Sequence, residues 1–186
     1  MSEIKTLHTN IWCSIKSIEN KELGIPPFYF KHLEKLSNGV IAILPYRYNS
    51  VNLLHKQYLL VEELRPAWVL KEIMRNEISL SLASITGGID RGERPEDAAK
   101  RELKEETGYD IPLDSLEFLG FSKTDKDSST EIYLFTVNLT DIKQGEIKRD
   151  GTPLEKYTTP KWINDITDIC DPLVAQMYVR FNKNNY

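Results

Sequence analysis

The 186-residue sequence predicts an α+β fold, an α/β/α sandwich around a mixed sheet, with additional strands at the N-terminus. Three observations predict it. Short β-branched and aromatic runs, among them "VIAILPY" and "YLLVEEL", precede one strongly signalled helix, and two further strand-like runs follow it. That central helix, residues 95–107, opens on Pro95, carries Glu96 and Asp97 in its first turn and meets Gly108 just beyond its end. The chain then closes on "DPLVAQMYVRFN", where Leu173, Val174, Met177, Tyr178 and Phe181 form one apolar helical stripe suited to core packing.

Each element has its own signal. Residues 10–20 mix apolar and polar side chains in a strand-like way, and "FYFKHLEKL" begins with β-prone aromatics after the turn signal "GIPP". The turn "NGV" leads into "VIAILPY", a buried strand, and "YLLVEEL" reads as its partner, limited by Pro66. In "EISLSLAS", Ile78, Leu80 and Leu82 alternate with Ser79, Ser81 and Ala83, as in a half-buried strand. After the central helix, residues 116–122 and 131–139 read as strands. Residues 140–160 are polar and punctuated by Gly and Pro, and read as a long loop. Asp171 suits the N-cap of the final helix and Pro172 its first position.

Composition narrows the function. A chain of this length buries roughly 70% of the surface its unfolded form exposes, so it folds without staples. A formal net charge of -4 disfavours a nucleic-acid partner recruited by phosphate neutralisation. Cys13 and Cys170 stand far apart, no CxxC pair exists, and His8, His32 and His55 are scattered, so a structural zinc site is not expected and the thiols read as reduced. The N-terminus is polar without an apolar signal core, and "VIAIL" is far too short to span a bilayer. The expectation is a soluble, cytoplasmic protein with no membrane or nucleic-acid partner.

The chemistry gathers around the central helix. Glu102, Glu105 and Glu106 stand at i, i+3 and i+4 and point to one side. Glu96 with Lys100, Asp97 with Arg101 and Arg101 with Glu105 are each four apart, so a solvated, salt-bridged helix face also accounts for the pattern. The preceding "TGGIDRGE" holds three glycines, which permit close backbone approach and can aim a carbonyl where the glutamates point. Oxygen-only donors of this kind suit Mg²⁺ or Mn²⁺.

Read as one unit, "GGIDRGERPEDAAKRELKEETGY" resembles the Nudix box: Gly87, Glu93, Arg101, Glu102, Leu103, Glu105, Glu106 and Gly108 fall in register, with Tyr109 at an otherwise aliphatic position. The resemblance implies metal-dependent hydrolysis of a nucleoside diphosphate linked to another moiety. It implies that Glu102, Glu105, Glu106 and the carbonyl of Thr86 are metal ligands. Glu106 or a loop carboxylate would position water, Glu93 and Arg101 would orient the glutamates, and Gly87 and Gly108 would support the turn geometry.

Outside the box, "NGVIAILPY" and "YLLVEELRP" resemble the ADP-ribose pyrophosphatase branch of the family. In that branch Arg65 would contact substrate, and residues 1–38 would form an N-terminal strand extension that helps build a homodimer, with residues 39–186 as the hydrolase domain. Trp12, Phe28 and Tyr29 could stack on a base or simply pack. The branch usually reads Glu-aliphatic-Pro-Ala before the box glycine; here Ala83, Ser84, Ile85 and Thr86 occupy those positions, which makes another nucleotide sugar a rival to ADP-ribose. For the further catalytic carboxylate, Glu155 best matches the expected place, ahead of Glu146, Asp150 and Glu131. Alternatives are hydrolysis of (deoxy)nucleoside triphosphates or dinucleoside polyphosphates, and nucleotide sensing without turnover.

Overall fold

Alternation along three strands sets the layers of the fold. In the computed structural model, which describes residues 3–10, 13–21, 25–32, 38–49, 55–65, 75, 77, 79–123, 128–147 and 158–183, strands β4 (Val40–Tyr48), β5 (Lys56–Glu63) and β9 (Glu131–Asn138) each send alternate side chains to opposite cores. Ile41, Ile43, Leu59, Val61, Phe135 and Val137 enter one core. Ala42, Leu44, Tyr58, Leu60, Ile132 and Leu134 enter the other. Strands covered on both faces must be apolar at nearly every position, as "VIAILPY" is. Helix α1 (Pro95–Thr107) closes the first core with Ala98, Ala99 and Leu103, and helix α2 (Pro172–Lys183) closes the second with Val174, Met177 and Phe181. Burying a leucine such as Leu103 contributes about 1.5–3 kcal/mol. The result is the expected α/β/α sandwich around a mixed sheet.

The sheet runs β10 (Thr159–Ile163), β5, β4, β9, β8 (Glu117–Lys123), with β4 and β9 parallel and the other pairs antiparallel. β4 pairs with β5 only through Tyr46–Tyr48. Beyond that point the two are joined by different partners: β6 (Ser81–Ala83) lies along β5, and β7 (Ile85–Gly88) lies along β4. Ser84 is the residue at which the chain changes partner strand.

Three local expectations are corrected. The face split of "EISLSLAS" does not hold: Leu80 is exposed, while Ala83, Ser84 and Ile85 are all buried. Only its end enters the sandwich, where Ala83 lies in the core under α1 and Leu82 packs against the core under α2, so both faces are covered there. The Gly-rich "TGGIDRGE" begins as strand β7 rather than as a turn, because Val40–Ile43 offers Ile85–Gly88 a ladder. The polar loop ends earlier than expected: Thr159 and Pro160 already belong to β10, an edge strand, where proline is tolerated. The segment 68–74 and Ile78 lie outside the described residues.

At the N-terminus β1 (Glu3–Thr9), β2 (Ser14–Asn20) and β3 (Ile25–His32) form their own antiparallel three-stranded sheet. It meets the larger fold where Lys31 bridges Ser128 and His32 Nδ1 lies 2.7 Å from Ser129 Oγ. Cys13 and Cys170 are free thiols, and no helix among the described residues is long and apolar enough to cross a membrane.

Candidate active site

The geometry of the box starts from two glycines. A Cβ on Gly87 would lie 2.0 Å from Glu102 Cδ, so only glycine lets the Glu102 carboxylate rest against β7. Gly108 ends α1 in the left-handed region at φ 78°, and its N–H donates to the Lys104 carbonyl at 2.9 Å. A Cβ there would meet the Gly145 carbonyl oxygen at 2.5 Å. Tyr109, the departure from the aliphatic pattern, is buried and packs edge-on against Trp162 with ring centroids 6.2 Å apart, so it fills core space as an aliphatic residue would.

Arg101 organises the acidic residues around it. Its Nε and Nη2 donate to the two oxygens of Glu93, both at 3.0 Å, in the bidentate fork that guanidinium geometry favours. Its Nη1 donates to Glu102 Oε1 at 2.6 Å and to Glu105 Oε2 at 3.3 Å. Nη2 also donates to the Gly88 carbonyl at 2.9 Å, which ties the helix to the end of β7. Glu93 in turn accepts the Asp90 N–H at 2.9 Å, closing the loop in front of the helix. Of the pairs four apart in sequence, Arg101 with Glu105 forms; Asp97 pairs with Arg94 and Lys100 with Asp110. The helix face is therefore an Arg-centred clamp rather than a ladder of solvated i,i+4 pairs.

Of the three carboxylates that Arg101 holds, the two better shielded respond in opposite ways. The Arg101 hydrogen bonds hold Glu93 below the usual carboxylate range. Burial pushes Glu102 above it, against the opposing pull of Arg101. The same carboxylates keep the Arg101 guanidinium protonated, well above its ordinary value. A carboxylate whose charged form is penalised by burial gains most from a cation.

The donor set fits a divalent ion in kind: carboxylate and carbonyl oxygens only, with Glu102 seated in the cradle that Gly87 leaves and one oxygen of Glu106 shielded from solvent. Among the described residues no three His, Cys, Asp or Glu side chains already stand together in a closed metal cluster; Arg101 holds Glu93, Glu102 and Glu105 instead.

The remaining candidates divide by position. Arg65 follows β5, pairs with Glu63 at 2.6 Å and reaches Thr86 Oγ1 at 3.5 Å, so it stands beside the box. Phe28 and Tyr29 are exposed on β3 and line a surface hollow with Ile15, Pro27, Phe30 and Lys31, apart from any box residue. Glu131 opens β9 and pairs with Lys123, and Glu146 is exposed. Trp12, Asp150 and Glu155 lie outside the described residues. Sequence reading missed Asp171 as more than a helix cap: its Oδ1 accepts the Leu173 N–H at 2.8 Å, while Oδ2 accepts from Ser84. The only signal for that partnership was Ser84 standing where an aliphatic residue is usual.

No curated protein matches the chain by sequence. By fold it is similar to the crystal structure of an ADP compounds hydrolase, with a TM-score of 0.63 and 18% identity over 98% of this chain and 90% of that one. The model of the NUDIX domain matches residues 51–165, a span that contains the whole Arg101 clamp and both of its glycines. On that match, and on a box in register from Gly87 to Gly108 and folded into this geometry, the chain belongs to the Nudix family of pyrophosphohydrolases.

Proposed function

We propose that the protein hydrolyses the diphosphate of a nucleoside diphosphate joined to a second moiety, ADP-ribose or a nucleotide sugar, giving a nucleoside monophosphate and a sugar phosphate. The observation that carries this reading is the Arg101 clamp, which sets Glu102 against Gly87 within the same structural unit as Thr86 and Arg65. The name of the structural neighbour, an ADP compounds hydrolase, supports the same substrate class.

In this reading Glu102, Glu105, Glu106 and the Thr86 carbonyl would hold Mg²⁺ or Mn²⁺, which when bound supplies Lewis-acid stabilisation of the diphosphate charge and a lowered pKa for water. Arg101 keeps Glu102 and Glu105 in place, with Glu93 fixing the fork from the other side. Arg65 binds the diphosphate from the end of β5. Glu106, with Glu155 as the candidate loop carboxylate, orients the attacking water. Water adds to one phosphorus, the bridging P–O bond breaks, and each half leaves with one phosphate. Residues 1–38 form an N-terminal extension to a hydrolase domain of residues 39–186. That extension mediates a homodimer and offers Phe28 and Tyr29 as a stacking surface, which their exposure supports. The setting is the cytoplasm.

Purified protein incubated with Mg²⁺ and a panel of ADP-ribose, nucleotide sugars, nucleoside triphosphates and dinucleoside polyphosphates tests the reading. Nucleoside monophosphate plus sugar phosphate is the expected product pair, and Glu106→Gln is expected to stay folded and lose most activity. Release of no monophosphate from any member at high enzyme concentration overturns it, and inorganic pyrophosphate from triphosphates moves the assignment to the triphosphate class.

A further inference from the structure

We propose that the cavity between the start of α2 and the β8–β9 edge is the subsite for the sugar attached to the diphosphate, an inference that rests on the hydrolase reading above. The cavity measures about 240 Å³ and is lined by Arg65, Lys123, Asp171 and Gln176, with Ile132 and Leu173 among its apolar walls. Sites for whole small ligands run from about 300 to 1,000 Å³, so this one suits a single moiety of a larger substrate.

Its position follows from sheet register. Ile132 pairs with Val40, and Val40 with Gly88, so the cavity wall lies two strand spacings from the end of β7, about 10 Å. The Gly88 carbonyl is the group that Arg101 holds while it grips Glu102. Arg65 belongs to both places. Its Nη2 is 3.5 Å from Thr86 Oγ1, one residue before Gly87, and its side chain also walls the cavity. A substrate whose diphosphate lies at the box and passes Arg65 carries its next group into this space.

The lining identifies that group. Each cation has its own carboxylate, Arg65 with Glu63 at 2.6 Å and Lys123 with Glu131 at 3.2 Å. Asp171 already accepts from the Ser84 N–H, the Ser84 hydroxyl and the Leu173 N–H. The walls therefore do not form a strongly cationic phosphate trap. They still offer N–H donors from Arg65 and Lys123, and the Gln176 amide, whose Oε1 accepts from Ser122 Oγ at 2.6 Å, adds two more. No aromatic ring is among the described lining residues, so a base would find no stacking partner there. Neutral hydroxyl groups meet these donors well, and Leu173, which is only partly buried, meets the apolar face of a sugar ring.

The test compares ADP-ribose with the methyl ester of ADP, which keeps the nucleotide and diphosphate but lacks the second sugar. Dissociation constants are measured in chelator, and kcat and KM in Mg²⁺, for wild type, the cavity-filling Gln176→Trp and the milder Lys123→Ala, with melting temperatures confirming the fold. Wild type is expected to bind ADP-ribose about tenfold more tightly than the ester, an advantage of about 1.4 kcal/mol. Gln176→Trp is expected to abolish that advantage and Lys123→Ala to reduce it about threefold, both through KM with the ester unaffected. No wild-type preference for ADP-ribose, no change in either variant, or equal weakening of both ligands overturns the subsite. If wild type hydrolyses neither compound, the hydrolase reading fails by itself, and the binding comparison still decides the subsite.

Discussion

Asp171 Oδ2 accepts two hydrogen bonds from Ser84, one from its backbone N–H at 2.7 Å and one from its hydroxyl at 2.6 Å, and both residues are buried. The bond joins the first turn of α2 to the point where the chain leaves β5 for β4, three residues before Gly87. Asp171→Ala would leave three donors without their acceptor and remove the helix cap. The expected cost is about 3 kcal/mol or more, since each unmet buried group costs about 1–3 kcal/mol. Ser84→Ala loses one hydroxyl and keeps the N–H bond, so about 1 kcal/mol is expected. Urea unfolding of the two variants checks the order. Two variants as stable as wild type would show that the pair contributes nothing.

Arg101→Lys separates charge from shape. Lysine keeps the positive charge but cannot span Glu93, Glu102 and the Gly88 carbonyl together, as Arg101 does. Groups that orient metal ligands typically account for about 10–100-fold in metal affinity or activity. A loss in that range is expected for the Mg²⁺-supported rate, with a raised Mg²⁺ requirement and a melting temperature lowered by only a few degrees. Wild-type Mg²⁺ dependence in the variant would remove Arg101 from the positioning role.

Gly87→Ala tests the cradle. The added Cβ would lie 2.0 Å from Glu102 Cδ, and the atoms that must yield belong to the end of a flexible side chain. The fold can therefore survive at a cost of about 1 kcal/mol, near the low end for overpacking, while the carboxylate is displaced from β7. Misplacement of a catalytic group by about 1 Å can cost a hundredfold in rate. The expected signature is a folded protein with about a hundredfold lower kcat. Activity near wild type would show that Glu102 does not need this seat.

The parts of this architecture written in local sequence were legible, and those set by distant partners were not. Pro95, the acidic first turn and Gly108 define α1 from neighbouring residues alone, and its bounds agree with the reading to the residue. The stripe on α2 is likewise local. The segment around Ser84 misled because alternation there reports two covered faces, and only the positions of α1 and α2 reveal the second. β7 was hidden in a glycine-rich run because its strand character comes from the Val40–Ile43 ladder rather than from its own residues. At the site, the spacing of Glu102, Glu105 and Glu106 gave their shared side of the helix. It could not say that Glu93, eight residues before Arg101, takes two arms of that guanidinium. The partnership of Asp171 with Ser84 spans 87 residues and leaves no periodic trace.

Acid stability offers a direct reading of the clamp. Arg101 holds the Glu93 carboxyl below its ordinary value of 4.5, so ionised Glu93 stabilises the fold. That contribution is complete above the unfolded value and is lost as pH falls through the lowered folded value. Glu102 works in the opposite sense. Burial raises its folded value, so its ionisation costs stability as pH rises through the range above 4.5, and protonation relieves that cost. The two effects are separated by Glu93→Gln, which has no acid to titrate at that position. In chelator, the stability advantage of wild type over Glu93→Gln is expected to be constant from neutral pH to about the ordinary glutamate value and to shrink below it. Denaturant midpoints of both proteins measured from pH 7 to pH 3 check this. An advantage unchanged down to the lowest pH would mean that the Glu93 charge is not what Arg101 holds.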